Sequence, residues 1–265
     1  MIEDRVVMTG MALALLAATG WLQPAAAESH WKYPVDQGFL SLNYEDMELA
    51  PREKGFDLVY VAPGAFERIG EYDGIMIDQP EVWVDRTSDY PGTKADYLKA
   101  IVDVVRDRLA GTLIRGGHDV VESPGPRVAF MRIALTDLYL KKKPGKRTSG
   151  YTAIGSESPE QIIRNMLKYF DVVEMALQLE VVDLETEELL GAIVIQRGER
   201  DSKTAGNYDQ RLDFAEFLDV VGEYADRVRC RFDNGKLPRE EWLDCVAQPE
   251  QAAARVAALR ELAQR

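Results

Sequence analysis

The sequence has few of the residues on which catalysis commonly depends. Among its 265 residues there are two cysteines, Cys230 and Cys245, and two histidines, His30 and His118. No Gly-x-Ser-x-Gly elbow accompanies the histidines, so a serine-hydrolase triad lacks its nucleophile motif. The cysteines lie too far apart for a Cys-x-x-Cys redox pair, and no histidine lies beside them to complete a metal site. The sequence therefore predicts no catalytic residue, no cofactor and no metal, and we expect His118 to have a structural role.

Positive charge is also scarce. The chain has 32 Lys and Arg against 45 Asp and Glu, which gives a formal net charge of −13 at pH 7. Nucleic acids and anionic membranes attract basic surfaces, so we expect no nucleic-acid partner. The basic residues concentrate in one predicted loop, which contains Lys141, Lys142, Lys143, Lys146 and Arg147. This stretch is either a solvated hairpin tip or a contact site for an acidic partner protein, a glycan or lipid headgroups.

Long apolar runs are confined to the N-terminus. The run from Met8 to Leu22 is shorter than a membrane-spanning helix and is followed by Ala25-Ala26-Ala27, the small-residue pattern of signal-peptide cleavage. We therefore predict a signal peptide over residues 1–27, with Ala25 and Ala27 at the cleavage site. The predicted mature chain has no transmembrane segment and is periplasmic or secreted.

Two details qualify the predicted leader. Glu3 and Asp4 offset the single basic residue of its n-region, so translation from Met8 or Met11 is an alternative to Met1. No cysteine follows the apolar run, so the chain lacks the lipobox cysteine that would carry a lipid anchor. We expect the exported product to be free of such an anchor.

Export also bears on the two cysteines. Oxidising compartments favour disulfides, and an even number of cysteines in an exported chain predicts that Cys230 and Cys245 pair. Closing a loop of this length contributes about 3 kcal/mol in the chain-entropy description of disulfide stabilisation. The bond would hold the segment Arg231–Asp244 against the preceding helix.

Periodic apolar residues predict the secondary structure. Strands are predicted at Ile75–Asp85, His118–Glu122, Val128–Leu140, Val173–Val181 and Leu189–Arg197. Three-to-four spacing predicts two long amphipathic helices, and a capping box at Ser158-Pro159-Glu160-Gln161 predicts a short one. Segregated hairpins argue against a doubly wound parallel sheet. The predicted fold is α+β, with a mainly antiparallel sheet of about four to five strands covered on one face by two long helices.

The same patterns predict the organisation of the chain. Residues 28–74 are expected to form an irregular arm with one short strand at Leu58–Val61, residues 75–232 the α+β core, and residues 233–265 a peripheral helical tail. Aromatic residues of the arm either anchor it to the core or line a ligand groove. They are Tyr33, Phe39, Tyr44, Phe56, Tyr60 and Phe66. Glu185, Glu187 and Glu188 form either a solvated hairpin turn or a carboxylate cluster for acid–base chemistry.

Four stretches of the sequence resemble the domain-of-unknown-function 3313 family of Gram-negative envelope proteins. They are Gly38-Phe39-Leu40, Leu58-Val59-Tyr60-Val61-Ala62-Pro63, Tyr72-Asp73-Gly74-Ile75-Met76-Ile77-Asp78 and Arg132-Ile133-Ala134-Leu135-Thr136-Asp137. The resemblance implies an envelope location and no assigned reaction, and it transfers no active-site residue. Members are mostly described as lipoproteins, whereas this chain lacks the lipobox cysteine and has glutamate in the turn Thr186-Glu187-Glu188, where glycine is expected. The order of elements is also similar to small α+β domains of envelope assembly lipoproteins such as the curli secretion protein, a likeness of fold alone.

These observations lead to one hypothesis and two alternatives. Predicted export, acidity and the lack of paired catalytic groups favour a non-enzymatic envelope protein that binds or scaffolds another envelope protein or a glycan. The first alternative is a hydrolase whose carboxylates come together on folding, since two acids suffice for glycoside chemistry. The second is a carrier of a small apolar ligand between the sheet and the N-terminal arm. The oligomeric state is left open.

Overall fold

The protein is described by a computed structural model over residues 38–49, 57–90, 95–146, 157–198 and 214–245. It contains four α-helices within these ranges: α1 (Ala65–Ile69), α2 (Ala95–Arg115), α3 (Pro159–Met166) and α4 (Phe214–Asn234). Its strands are β1 (Glu48–Leu49), β2 (Leu58–Val61), β3 (Gly74–Ile77), β4 (Glu81–Val84), β5 (Asp119–Val121), β6 (Val128–Lys142), β7 (Phe170–Asp183) and β8 (Leu189–Gly198). None of the described helices combines the length and the hydropathy that a bilayer crossing requires.

The predicted sheet is wrong in size and in strand direction. Over the described residues the strands form one mixed sheet of eight in the order β1-β2-β8-β7-β6-β3-β5, with β4 also paired to β6. The β3–β5, β3–β6 and β4–β6 pairs are parallel. Hairpin neighbours are antiparallel because short turns reverse the chain, but α2 lies between β4 and β5 and returns the chain in its original direction. Periodicity indicates which face of a strand is apolar, but it does not indicate whether neighbouring strands run parallel or antiparallel. The prediction of four to five mainly antiparallel strands under two long helices was therefore wrong.

The stretch predicted as one strand at Ile75–Asp85 is two strands, β3 and β4. Both strands run parallel to β6. The residues of β3 pair with Val128–Met131, and the pairing of β4 with β6 begins where Glu81 lies opposite Ala134. Pro80 lies in the short connection between them, where it removes no ladder hydrogen bond. One long strand therefore serves as partner to two short ones.

The main core lies between one face of the sheet and the helices. Alternate residues of β6 and β7 point to this face, including Ile133, Leu135 and Leu177, and all are almost fully buried. Leu109 of α2 and Val221 of α4 belong to the same buried cluster. The apolar periodicity of these strands and helices is thus satisfied by one shared core.

The opposite face of the sheet is covered by residues 38–49. Phe39, Leu40 and Met47 pack on small side chains of the central strands. These are Ala134, Ala176, Ala192 and Val194. Within this layer the buried Glu180 accepts hydrogen bonds from the backbone N–H and the hydroxyl of Ser41, each 2.8 Å long, and pairs with Arg132. Both faces of the central strands are consequently buried.

A second buried polar contact joins the end of α2 to α4. His118 lies just after α2, and its Nε2 atom is 2.7 Å from Oδ1 of Asp233. The exposed fractions of the two side chains are 3% and 0%. A carboxylate only accepts, so Nε2 carries the proton in this hydrogen bond. The contact joins the end of α2 to α4, and the structural role expected for His118 stays a prediction.

Candidate functional site

A cavity of about 300 Å³ lies beside α4. One wall is the helix-facing side of the sheet, where cross-strand partners of β2, β8 and β7 bring apolar side chains into one row. That wall contains Val59, Val61, Leu179, Val181, Gly191 and Ile193. The facing wall contains Phe66, Ile69, Val228, Arg231 and Phe232, and β1 adds Glu48 and Leu49. The lining is mostly apolar, with one basic and one acidic residue.

Glycines shape this cavity on both sides. Gly191 adds no side chain to the sheet wall, and a Cβ there would lie 3.1 Å from the carbonyl oxygen of Tyr60. On the helical side, α1 ends at Gly70, where a Cβ would lie 2.3 Å from the carbonyl oxygen of Gly235. This close approach fixes the end of α1 against the end of α4, and it holds Ile69 in the cavity wall.

Residues 235–245, which follow α4, pack against the helical wall of the cavity. Trp242 packs edge-on against Phe66 with ring centroids 4.6 Å apart, and its Nε1–H donates to the carbonyl oxygen of Leu237 at 3.1 Å. Asn234 donates to the carbonyl oxygen of Leu243 and accepts from the N–H of Leu243, at 2.9 and 3.0 Å. The segment therefore folds back onto the helices as an ordered layer.

The two cysteines bracket this segment. Cys230 in α4 and Cys245 are buried, and their Cα atoms are 5.4 Å apart, so the pair is capable of forming a disulfide. The structure thus brings together the two cysteines that were predicted from the sequence to form a disulfide. Formation of the bond in the exported protein stays a prediction.

Arg231 is the one basic residue among the described residues that line the cavity. Burial lowers its pKa, and the charge of Asp244 acts in the opposite direction. An arginine side chain stays protonated under all ordinary conditions, so the wall carries a partly desolvated positive charge. Glu48, the acidic residue of the lining, lies on β1 and is exposed to solvent.

A polar cluster lies at the β7–β8 turn, next in sequence to cavity residues of both strands. The Tyr72 hydroxyl donates to Oδ2 of Asp183 at 2.6 Å, and Arg68 pairs with Glu188. The Tyr72 hydrogen bond lowers the pKa of Asp183, and two backbone N–H groups of the turn add to this effect. Burial raises the pKa of Tyr72, and so does its hydrogen bond to Asp183. The hydrogen bond to Glu188 raises the pKa of Arg68.

The glutamates of this turn are not gathered into a carboxylate cluster. Glu185 contributes its backbone N–H to Asp183, and Glu188 is 60% exposed and paired with Arg68. Glu187 takes φ +58°, a conformation that glycine adopts more easily, where the family resemblance implied glycine. No group of three or more potential metal ligands occurs among the described residues.

The described residues of the predicted basic stretch do not line the cavity. Lys141 and Lys142 end β6, while Lys143 donates to the carbonyl oxygen of Leu167 at 2.6 Å and pairs with Asp171 at 3.2 Å. Lys146 follows in the adjoining turn. Arg147, Ala25 and Ala27 lie outside the described residues. Partner binding by the basic stretch, signal cleavage and the domain boundaries all stay predictions.

Sequence reasoning found part of the cavity and missed the rest. Of the six arm aromatics, Phe66 lines it. Tyr60 borders the cavity, but its side chain packs with Phe39 and Tyr44 on the opposite face of the sheet, and Tyr33 and Phe56 lie outside the described residues. Arg231 was missed, although a signal existed. It lies three residues after Val228 and one before Phe232, so it interrupts the apolar stripe of α4.

Comparisons with known proteins give a family and a few distant structures. The family model described as "Protein of unknown function (DUF3313)" matches residues 35–228. No curated protein matches the chain. The PelC dodecamer from Paraburkholderia phytofirmans is similar at 10% identity and TM-score 0.30, covering 58% of this chain and 85% of that one. A DUF330 protein from Xanthomonas campestris is similar at 9% identity and TM-score 0.30, covering 62% and 85%.

Proposed function

This chain belongs to the DUF3313 family, and from that premise we propose that it is an exported, non-enzymatic binding module of the cell envelope that holds a small apolar ligand. The match over residues 35–228 confirms the resemblance noted in the sequence. The family description assigns no reaction. The proposal therefore depends on the geometry of the site.

The observation that carries the proposal is the apolar cavity between α4 and the β2–β8–β7 region. Its volume of about 300 Å³ is at the lower end of the range of small-molecule sites. Val61 and Leu49 of its lining are 38% and 36% exposed, so the cavity opens to solvent at this edge of the sheet. An accessible, largely preformed apolar cavity favours the carrier alternative over a purely scaffolding role.

The composition of the cavity favours binding over hydrolysis. Glycosidase chemistry requires two carboxyl groups within about 10 Å of each other. Glu48 is the one carboxylate among the described residues of the lining, and it is exposed to solvent. No observation supports the hydrolase alternative at this site.

Two features support the envelope location. Residues 1–27 have the apolar run and the small-residue ending of a signal peptide. The disulfide-capable pair Cys230–Cys245 suits an oxidising compartment. We expect the intact mass of the exported protein to correspond to cleavage after Ala27, and a full-length product in the cytoplasmic fraction would contradict this location.

Ligand binding is tested with the neutral apolar dye N-phenyl-1-naphthylamine. Val61→Trp places a large side chain at the mouth of the cavity, and its matched control is Ile114→Trp, because Ile114 is also an exposed apolar residue and lies on α2, outside the lining. We expect saturable binding at one site, weakened about tenfold or more by Val61→Trp and unchanged by Ile114→Trp. Absence of saturable binding, or equal affinity in both variants, would overturn the proposal.

A further inference from the structure

We infer that the ligand of this cavity is a single-chain aliphatic monocarboxylate whose carboxylate is bound by Arg231. The inference rests on the proposed function and specifies the chemical class of the ligand. Its basis is the position of one charged side chain in an otherwise apolar wall, between Val228 and Phe232 of α4.

The cost of burying a guanidinium gives Arg231 its significance. Its neighbours in the wall are apolar side chains of α1, α4 and the sheet, and burial disfavours its charge. The charge that opposes this effect belongs to Asp244, which is exposed and lies in the segment bracketed by Cys230 and Cys245. A ligand carboxylate inside the cavity would add a second negative group on the cavity side of the guanidinium.

The charges of the two charged lining residues differ in their electrostatic effect inside the cavity because the residues differ in exposure to water. Glu48 lies in water at the edge of the sheet, whereas Arg231 is partly desolvated. A charge exposed to water acts several-fold more weakly than a charge near the protein interior. The field inside the cavity is therefore dominated by Arg231 and selects an anion over a cation.

Charge matching and volume narrow the ligand class further. A guanidinium pairs with a carboxylate through two parallel hydrogen bonds, and because the charge of Asp244 already acts on Arg231, a singly charged ligand adds less repulsion than a doubly charged one. A phosphate monoester carries more negative charge than one arginine balances. The remaining lining is apolar, and a cavity of about 300 Å³ favours a single aliphatic chain.

The test compares dodecanoate with dodecanol, which have the same chain length and differ in charge. Both are titrated as competitors of N-phenyl-1-naphthylamine on the wild-type protein, on Arg231→Gln and on the control Arg239→Gln. Arg239 stacks on Trp242 and lies outside the cavity lining. We expect dodecanoate to bind wild type and Arg239→Gln about tenfold or more tightly than dodecanol, because hydrogen bonds to charged groups are strong. In Arg231→Gln we expect this difference to vanish while dodecanol affinity is kept.

The outcomes separate the two proposals. Displacement by dodecanol with equal affinity for dodecanoate in wild type would overturn the carboxylate inference and leave apolar binding intact. Failure of both competitors while the dye still binds would likewise overturn only the carboxylate inference, whereas absence of saturable dye binding would overturn the proposed function itself. Asp244→Asn gives an independent check if Arg231→Gln does not fold. It removes the competing carboxylate, so dodecanoate affinity should rise while dodecanol affinity stays constant, and an unchanged dodecanoate affinity would count against the role of Arg231.

Discussion

Replacing His118 by alanine should cause one of the largest single-residue losses of stability in this protein. The imidazole donates from Nε2 to Asp233 at 2.7 Å, and the Asp233 side chain is fully buried. The other carboxylate oxygen of Asp233 is 3.9 Å from Nε of Arg229, beyond hydrogen-bond distance. His118→Ala therefore leaves a buried carboxylate without its close donor.

The expected magnitude follows from that burial. Removing one partner of a buried, hydrogen-bonded pair costs about 3–5 kcal/mol, because the remaining polar group stays desolvated. An exposed pair provides the matched control. Lys99 and Asp103 form an i,i+4 pair on α2, and the Lys99 side chain is 72% exposed. Such a pair contributes about 0.3–0.5 kcal/mol, so Lys99→Ala should be nearly neutral.

Urea denaturation followed by circular dichroism measures both variants. We expect the free energy of unfolding to fall by about 3–5 kcal/mol in His118→Ala. In a double-mutant cycle with Asp233→Asn, the coupling energy should be about 1 kcal/mol or more, because the two side chains are in direct contact. If His118→Ala were no more destabilising than Lys99→Ala, the reasoning from buried pairing would be refuted.

Three further predictions concern the surroundings of the cavity. Cys245→Ser should lower the free energy of unfolding by about 3 kcal/mol under oxidising conditions, and reductant should lower wild type equally; full thiol labelling of unreduced wild type would contradict the disulfide. The folded-state pKa of Asp183 is lowered, so its stabilisation is present above its usual pKa of 3.8 and is lost as pH falls through the folded value. Asp183→Asn should therefore cost about 1 kcal/mol at pH 7, with the difference from wild type shrinking below about pH 4 in urea titrations. Gly70→Ala should be destabilising by about 1–3 kcal/mol, because its Cβ would meet the backbone of α4's end at 2.3 Å, whereas Gly222→Ala, with nothing within 4 Å, should be neutral or stabilising in thermal unfolding.

Local signals in the sequence predicted local structure well. The Ser158 capping box starts α3, where the Ser158 hydroxyl accepts from the N–H of Gln161. The alternation in β7 marks its core face, and Leu58–Val61 forms β2 with the predicted bounds. These features depend on residues close together in sequence, which propensity and periodicity describe directly.

Features that depend on distant residues were not predicted. The parallel pairing of β3 and β4 with β6 is formed by segments about fifty residues apart, and no pattern within either segment specifies it. Glu180 is a charged residue in an alternating strand, yet it is buried, and Ser41 and Arg132 pair with it beneath the arm. The cavity likewise exists only where β2, β8, α1 and α4 meet. For Arg231 the sequence did contain a signal, because this residue interrupts the apolar stripe of α4.

The pairing of β2 with β8 has a consequence for the order in which the chain can fold. Leu58 pairs with Val194, so β2 needs β8 before this edge of the sheet can form. A chain emerging from the ribosome cannot close this edge until almost 200 residues are available, and such non-local topologies fold slowly. The cavity wall shared by these strands is therefore completed late. Because of that delay, the newly made chain stays unfolded for longer. A protein proposed for export would have to reach the secretion machinery in that unfolded state.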